Sequence, residues 1–197
     1  MDGRPLAVGI LLAAGRGRRF DPTGTRKKLL QALAGSGEPL LAASARVLTT
    51  ALARVVAVVR PGDDDIAALL RAAGCEVVVC VDADEGMAAS LGAALRASLQ
   101  GDTPAQSWIV ALGDMPDVAV TTVLALAEAL AAGAELVAPV CQGRRGNPAG
   151  FGAALLPELL ALRGDAGARR LFERHAFTAV VTDDAGVLRD IDVPADL

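Results

Sequence analysis

Aromatic side chains are scarce in this sequence, which has no Tyr, one Trp and four Phe in 197 residues. Hydrophobic content is nevertheless 53%, so the core has to be built mainly from aliphatic side chains and Ala. Histidine occurs once, as His175. It follows Arg174 at a predicted helix end, where a His meets terminal carbonyls, and Ser-His-Asp or Cys-His catalysis is not expected. The three cysteines, Cys75, Cys80 and Cys141, are an odd set without CxxC spacing. That excludes a disulfide framework or zinc site and favours a reducing cytoplasm. They sit in or beside apolar runs, as core residues do. No apolar stretch reaches the roughly 18 residues of a membrane span. The start, Met1 to Pro5, lacks a signal peptide's n-region, h-region and cleavage pattern. Internal repeats, low-complexity tracts and interdomain linkers are missing too, so residues 1–197 are expected to form one domain.

What the sequence does have is an unusual concentration of positive charge. The apolar run Leu6 to Leu12 reads as a buried strand and breaks into a glycine-bearing loop. From Gly15 to Lys28 that loop carries six basic residues (Arg16, Arg18, Arg19, Arg26, Lys27 and Lys28) against one acid, Asp21. This is a local +5 in a chain of net charge -4, which leaves -9 for the remainder. Lys27 and Lys28 are the only two lysines. Glycines let backbone N–H groups approach a polyanion and the cations neutralise it, so the loop is a candidate triphosphate cradle. The acidic remainder argues against a nucleic-acid surface and for a small phosphorylated ligand.

Further along, apolar spacing predicts a helix over 39–52, and the β-branched run 54–60 predicts a strand buried on both faces. Asp63, Asp64 and Asp65 open a helix to Ala73, where acids complement the helix N-terminus. A strand at 75–81 and a helix at 87–99 follow, then a linker-like stretch at 101–106. Next come a strand at 108–112, a helix at 120–132 and a strand at 135–140. Residues 142–146 read as a Gly/Arg loop, 153–162 and 167–175 as short helices, and 177–182 and 187–192 as β-like runs. Strand and helix alternate throughout. The expected fold is α/β, a three-layer α/β/α sandwich with a mostly parallel sheet.

In such sheets ligands sit outside the carboxyl ends of strands, where both the basic loop and Gly113-Asp114-Met115-Pro116-Asp117 fall. A cation-rich loop facing a strand-end Asp suits a magnesium nucleotide: Asp114 holds Mg²⁺ and the cations neutralise phosphate oxygens. Asp190 and Asp192, one residue apart in a β-like run, would point to one face and complete the metal site. Arg144-Arg145-Gly146-Asn147 would bind an anionic acceptor or the departing pyrophosphate. A dinucleotide-binding oxidoreductase is disfavoured, because Gly15-Arg16-Gly17-Arg18-Arg19-Phe20 lacks the third glycine of GxGxxG.

The stretch Leu12-Ala13-Ala14-Gly15-Arg16-Gly17-Arg18-Arg19-Phe20, with a lysine following, resembles the LxxGxGxRM…K loop of nucleotidyltransferases of GT-A-like fold. More narrowly it is similar to the MobA-like family and its molybdenum-cofactor cytidylyltransferase (MocA-type) branch. Gly86-Met87-Ala88-Ala89-Ser90-Leu91 resembles that branch's GMxxSL, and Leu112-Gly113-Asp114-Met115-Pro116 its LGDMP. Arg145-Gly146-Asn147-Pro148 is similar to RGHP, with Asn in place of His. The resemblance continues through Gly164-Asp165-Ala166-Gly167-Ala168-Arg169 and Asp190-Ile191-Asp192-Val193-Pro194. The segment from Arg19 to the lysine is about four residues longer than the family pattern, which leaves the catalytic lysine open between Lys27 and Lys28.

The resemblance implies a nucleotide diphospho-sugar-transferase architecture and roles for named residues. Gly15, Gly17 and Arg19 would wrap the phosphates, and Lys28 would neutralise the α-phosphate. Leu12, Ala13 and Ala14 would lie by the base, with Ser90 on the nucleoside. Asp114 would hold Mg²⁺, with Asp192 as second ligand and Asp190 beside it, while Arg145 and Asn147 would border the acceptor. The implied reaction moves an NMP from an NTP, CTP first, to a phosphorylated small-molecule acceptor of molybdopterin type and releases pyrophosphate. Guanylyl or sugar-phosphate transfer, or a non-catalytic accessory role in molybdoenzyme maturation, are the alternatives. A molybdoenzyme or an insertion chaperone is the implied partner, with neither nucleic acid nor membrane involved.

Overall fold

A computed structural model describes residues 7–100 and 105–197. Leu6 at the head of the first strand and residues 101–104 of the linker-like stretch lie outside the described residues, as does the Met1–Pro5 start. Among the described residues the strands are β1 (Val8–Leu12), β2 (Val55–Val59), β3 (Glu76–Val79), β4 (Ser107–Leu112), β5 (Leu136–Cys141), β6 (Arg144–Arg145), β7 (Ala149–Gly152) and β8 (Thr178–Val181). The α-helices are α1 (Leu40–Ala51), α2 (Asp64–Ala72), α3 (Met87–Ser98), α4 (Val120–Ala131), α5 (Leu156–Ala161) and α6 (Arg169–Arg174). Strand order is β3-β2-β1-β4-β7-β5-β6, with β8 also on β5. The pairs β3–β2, β2–β1, β1–β4 and β5–β8 are parallel, and β7 runs antiparallel between β4 and β5. The sheet is mixed and mostly parallel, as expected.

Alternation along the strands builds the two cores. In β2, Val55, Ala57 and Val59 pack with Leu40, Leu48 and Leu70 of α1 and α2, together with Leu126 of α4. Val56 and Val58 face the other way, with Leu91 and Leu95 of α3, Leu159 of α5 and Leu171 of α6. Both sets are buried, which is why the sequence shows a continuous β-branched run and not an alternation. The three-layer sandwich follows. No helix among the described residues is long and apolar enough to cross a membrane.

Two expectations need correction, and one strand was not expected. Residues 149–152 form an antiparallel strand that small side chains concealed: a Cβ at Gly150 would lie 2.4 Å from Val137 Cγ2, so only glycine lets β7 approach β5. The loop at 142–146 holds the short strand β6, which turns back on β5. The run 187–192 is not a strand. Ala185–Leu188 is a 3-10 turn, with the Asp184 side chain accepting from the Gly186 N–H at 3.0 Å. Ile191, fully buried, then pins the segment by donating its N–H to the Asp114 carbonyl at 3.0 Å.

The scarcity of aromatics puts weight on Trp108. It is fully buried in β4, and its indole Nε1 donates to Ser98 Oγ at 2.7 Å. Ser98, also fully buried, donates onward to the Leu95 carbonyl. Ser98→Ala leaves the indole N–H without a partner and should cost about 1–3 kcal/mol, read as a lower midpoint in urea unfolding with an unchanged slope.

Candidate active site

β1, β2, β4 and β5 all run in the same sense, so their carboxyl ends share one edge of the sheet. After β1 the chain enters the Gly15–Lys28 loop. Gly17 has φ +61°, and a Cβ there would press on Lys28 Cβ at 3.2 Å. Its carbonyl accepts from the N–H groups of Phe20 and Asp21 at 3.0 and 3.1 Å, closing the turn. A Cβ at Gly15 would meet nothing within 4 Å, so the backbone there is open to the cleft. Phe20 is buried and anchors the loop, with the Arg26 guanidinium 5.7 Å over its ring.

The residues after Phe20 are organised by Asp21. Its carboxylate accepts from the Thr23 N–H and hydroxyl at 3.0 and 2.6 Å, the Thr25 hydroxyl at 2.9 Å and the Arg26 N–H at 2.7 Å. The Thr23 hydroxyl, followed by the Arg26 N–H, holds the Asp21 carboxyl far below its ordinary range. The longer-than-usual segment is thus a folded turn around one carboxylate, and it delivers Lys27 and Lys28 in opposite directions. Lys27 Nζ reaches Asp63 at 3.0 Å and Asp65 at 2.6 Å in the first turn of α2. Lys28 Nζ donates to Asp114 Oδ2 at 2.7 Å and to the Ile191 carbonyl at 2.8 Å, and lies 3.8 Å from Asp192 Oδ1.

Asp114 is presented by the turn after β4, where Gly113 N–H donates to the Leu12 carbonyl at 3.0 Å and Ser44 Oγ to the Gly113 carbonyl at 3.1 Å. Arg19 reaches Asp192. Lys28, Asp114, Asp192 and Arg19 therefore meet at one wall of a cleft of about 650 Å³, a size suited to a nucleotide. An adjoining lobe of about 780 Å³ is lined by Leu12, Ala14, Gly15, Ser90 and Asp190. Ala13 does not line it; its side chain is buried in the core. Arg145 and Asn147 lie outside both lobes. The Arg145 guanidinium stacks 3.9 Å over Phe172, and the Asn147 N–H donates to the Val187 carbonyl at 2.9 Å. His175 caps α6 through its backbone N–H and places Nε2 2.9 Å from Glu158, away from the cleft. All three cysteines are buried and unpaired, and burial pushes the Cys75 thiol up to about 11.

Arg60, Asp84, Met87 and Asp165 also line the cleft, and sequence reasoning missed them as site residues. For Arg60 the signal was available: it directly follows β2 at the carboxyl end, the rule that singled out Asp114. Asp165 lies in a stretch already noted for its resemblance, but its place at the cleft depends on a distant contact, accepting the Met87 N–H at 3.3 Å.

One atom bears on a metal. Asp114 Oδ1 is buried and has no hydrogen-bond partner. Among the described residues no group of three or more His, Cys, Asp or Glu forms a complete cage. Two hard carboxylates converging on a single ammonium, one with a spare oxygen, fit a magnesium- or manganese-type ion that takes its other ligands from phosphate and water.

The Asp21 turn yields a pH dependence. A carboxyl held below its unfolded value of 3.8 stabilises above that pH, and the contribution is lost as pH falls through the folded value. Asp21→Asn should lower Tm at pH 7. The deficit against wild type should narrow steadily as thermal melts are taken from about pH 4 downward.

Residues 9–180 match the MobA-like NTP transferase domain model. No curated protein matches the sequence. Among solved structures, Rv0371c of Mycobacterium tuberculosis H37Rv is 28% identical with a TM-score of 0.81, covering 100% of this chain and 96% of its own. Its complex with manganese aligns at 25% identity and a TM-score of 0.71, over 97% of this chain and 92% of that one. Molybdopterin-guanine dinucleotide biosynthesis protein A of Archaeoglobus fulgidus, at 21% identity and a TM-score of 0.67 over 96% and 94% of the two chains, shares the fold. With the family model spanning most of the sequence and the phosphate-type loop facing a strand-end aspartate, the chain belongs to the MobA-like NTP transferase family and is a nucleotidyltransferase of that fold.

Proposed function

We propose that this chain, as one catalytic domain over 1–197, transfers CMP from CTP to a phosphorylated acceptor of molybdopterin type in the cytoplasm. The observation that carries the reading is Lys28, held between Asp114 and Asp192 beneath the glycine loop. The motif resemblance to the cytidylyltransferase branch supports the choice of base and acceptor. An oxygen of the acceptor's phosphate attacks the α-phosphorus in line, the new O–P bond forms as the bond to the β-phosphate oxygen breaks, and pyrophosphate leaves. The attacking oxygen is already ionised, so no protein base is needed.

The residues contribute position and charge. Open backbone at Gly15 and the Gly17 turn admit the phosphate chain, and Arg19 sits beside it. Lys28 exchanges its carboxylate partners for the α-phosphate as charge builds there. Asp114 and Asp192 would hold a divalent ion, for which manganese in a related structure is a precedent. When bound, such an ion neutralises phosphate oxygens as a Lewis acid. Leu12, Ala14 and Ser90 shape the nucleoside end, and Arg145 and Asn147 stand toward the acceptor. A molybdoenzyme or its insertion chaperone would receive the product.

A thermal-shift panel of CTP, GTP, ATP and UTP, each with and without Mg²⁺ or Mn²⁺, tests the reading, because a ligand bound to the folded state raises its stability. CTP with metal should give the largest shift, and Asp114→Ala should abolish the metal-dependent part. Selection of GTP would move the protein to guanylyl transfer. In a pyrophosphate-release assay Lys28→Ala should reduce turnover about 10²- to 10³-fold, the usual loss of one transition-state cation or donor. Nucleotide binding without any turnover on molybdopterin would leave an accessory role.

A further inference from the structure

After β8 the segment from Asp184 to Asp192 runs past the turn that carries Asp114 and is bonded to it repeatedly. Asp184 anchors its start. Oδ2 of Asp184 accepts the Ala119 N–H at 2.8 Å and the Thr122 hydroxyl at 2.7 Å, and Oδ1 accepts the Gly186 N–H at 3.0 Å. Gly186 then lies flat on the Asp117 carbonyl, which a Cβ at that position would strike. The Val187 carbonyl accepts the Asn147 N–H at 2.9 Å, and Arg189 pairs with Asp117. Ile191 uses both of its backbone groups. Its N–H donates to the Asp114 carbonyl at 3.0 Å, and its carbonyl takes the Lys28 ammonium at 2.8 Å. Asp192 follows, paired with Arg19 and 3.8 Å from Lys28 Nζ.

The anchor is an unusual one. Position 119 is the N-cap of α4, and it is an alanine with no side chain to serve the helix end. The capping acid comes instead from a residue 65 positions later in the chain. An acid at position 119 could serve the same helix end and would hold nothing else. Supplied by the segment, the cap is a tether. It fixes where the segment begins against α4, and so where Ile191 and Asp192 arrive against Lys28. Thr122 is buried, so this end of the tether sits on rigid structure. One support therefore holds the Asp114 turn, the Lys28 ammonium and the Asn147 backbone in register.

We propose that Asp184 is a positioning residue, which by this tether holds Ile191 and Asp192 against Lys28 and Asp114 in the geometry that a metal-bound nucleotide needs. The proposal rests on the nucleotidyltransferase reading for that ligand. Asp184 itself touches neither nucleotide nor metal. It acts by where it puts the others.

Amide hydrogen exchange on the full chain, without any ligand, reads the tether. In Asp184→Ala the Ile191 and Asn147 amides should exchange at least about tenfold faster relative to the Gly9 amide, which is bonded to the Arg54 carbonyl in the sheet and reports global opening. Paramagnetic resonance titration with Mn²⁺ in the presence of CTP reads the consequence. Asp184→Ala should weaken Mn²⁺ about tenfold, as loss of a group that orients ligands does, with metal-free CTP affinity held within about twofold. Ser98→Ala, at the amino end of β4, is the control for destabilisation alone and should accelerate all three amides alike without changing Mn²⁺ affinity. If Asp184→Ala behaves as Ser98→Ala does, Asp184 is a plain helix cap and the proposal is overturned. Faster Ile191 and Asn147 amides with Mn²⁺ affinity intact would overturn it as well. Should Asp184→Ala fail to fold, Thr122→Val removes one of the three contacts and should weaken Mn²⁺ about threefold; an unchanged affinity there counts against the proposal equally. Wild-type protein that binds no Mn²⁺ with CTP would end the metal-nucleotide reading and the proposal together, whereas wild-type binding kept in full by Asp184→Ala ends the proposal alone.

Discussion

The ammonium of Lys28 ties together three distant parts of the chain. It belongs to the loop after β1 and donates both to Asp114, in the turn after β4, and to the Ile191 carbonyl close to the last residues. A largely buried cation needs such partners, because leaving it unpaired in a partly desolvated site costs more than the pair returns. The same logic recurs around the cleft: Lys27 with Asp63 and Asp65, Arg19 with Asp192, and Arg16 and Arg60 with Asp84. Cations crowded into one loop repel one another, and each carboxylate reduces that repulsion while fixing a side chain in place. The resting cleft is in this sense a template in which protein carboxylates occupy positions that suit phosphate oxygens. In the proposed function, binding a polyphosphate there would exchange one set of anions for another.

Much of this was legible in the sequence because the signals were local. The strand β2 is visible as five consecutive apolar residues, and the cleft loop as a glycine-rich, strongly basic segment directly after an apolar run. Asp114 could be singled out because a strand stops one residue before a Gly-Asp pair. What stayed hidden depends on pairing across the chain. β7 reads Ala-Gly-Phe-Gly, a poor strand by propensity, and it exists because β4 and β5 offer edges on either side that its glycines let it approach closely. The segment 187–192 carries apolar residues at strand-like spacing, but they serve to bury Val187 and Ile191, with no ladder partner. The ambiguity between Lys27 and Lys28 was of the same kind. Both sit in one loop, and the Asp21 turn, built from four contacts to a single carboxylate, sends the first toward α2 and the second toward Asp114.

The antiparallel insertion of β7 also gives the active edge a direction. Reading along the carboxyl ends of the sheet, Arg60 ends β2, the glycine loop ends β1 and Asp114 follows β4. Because β7 runs the other way, its beginning falls at that same edge: Ala149 pairs with Val110, so Asn147 stands level with the end of β4. β5 ends there too, and its return hairpin carries Arg145. A parallel strand in the place of β7 would have put Asn147 at the opposite edge, away from Asp114. The reversal at β7 thus places Asn147 beyond Asp114 along this edge, with the glycine loop and Arg60 before it. An in-line displacement requires attacking and leaving groups on opposite sides of the reacting phosphorus. In the proposed transfer, strand order would meet that requirement by setting the basic loop on one side of the Lys28–Asp114 pair and Arg145 and Asn147 on the other. The loop sequences then have only to choose the base and the acceptor.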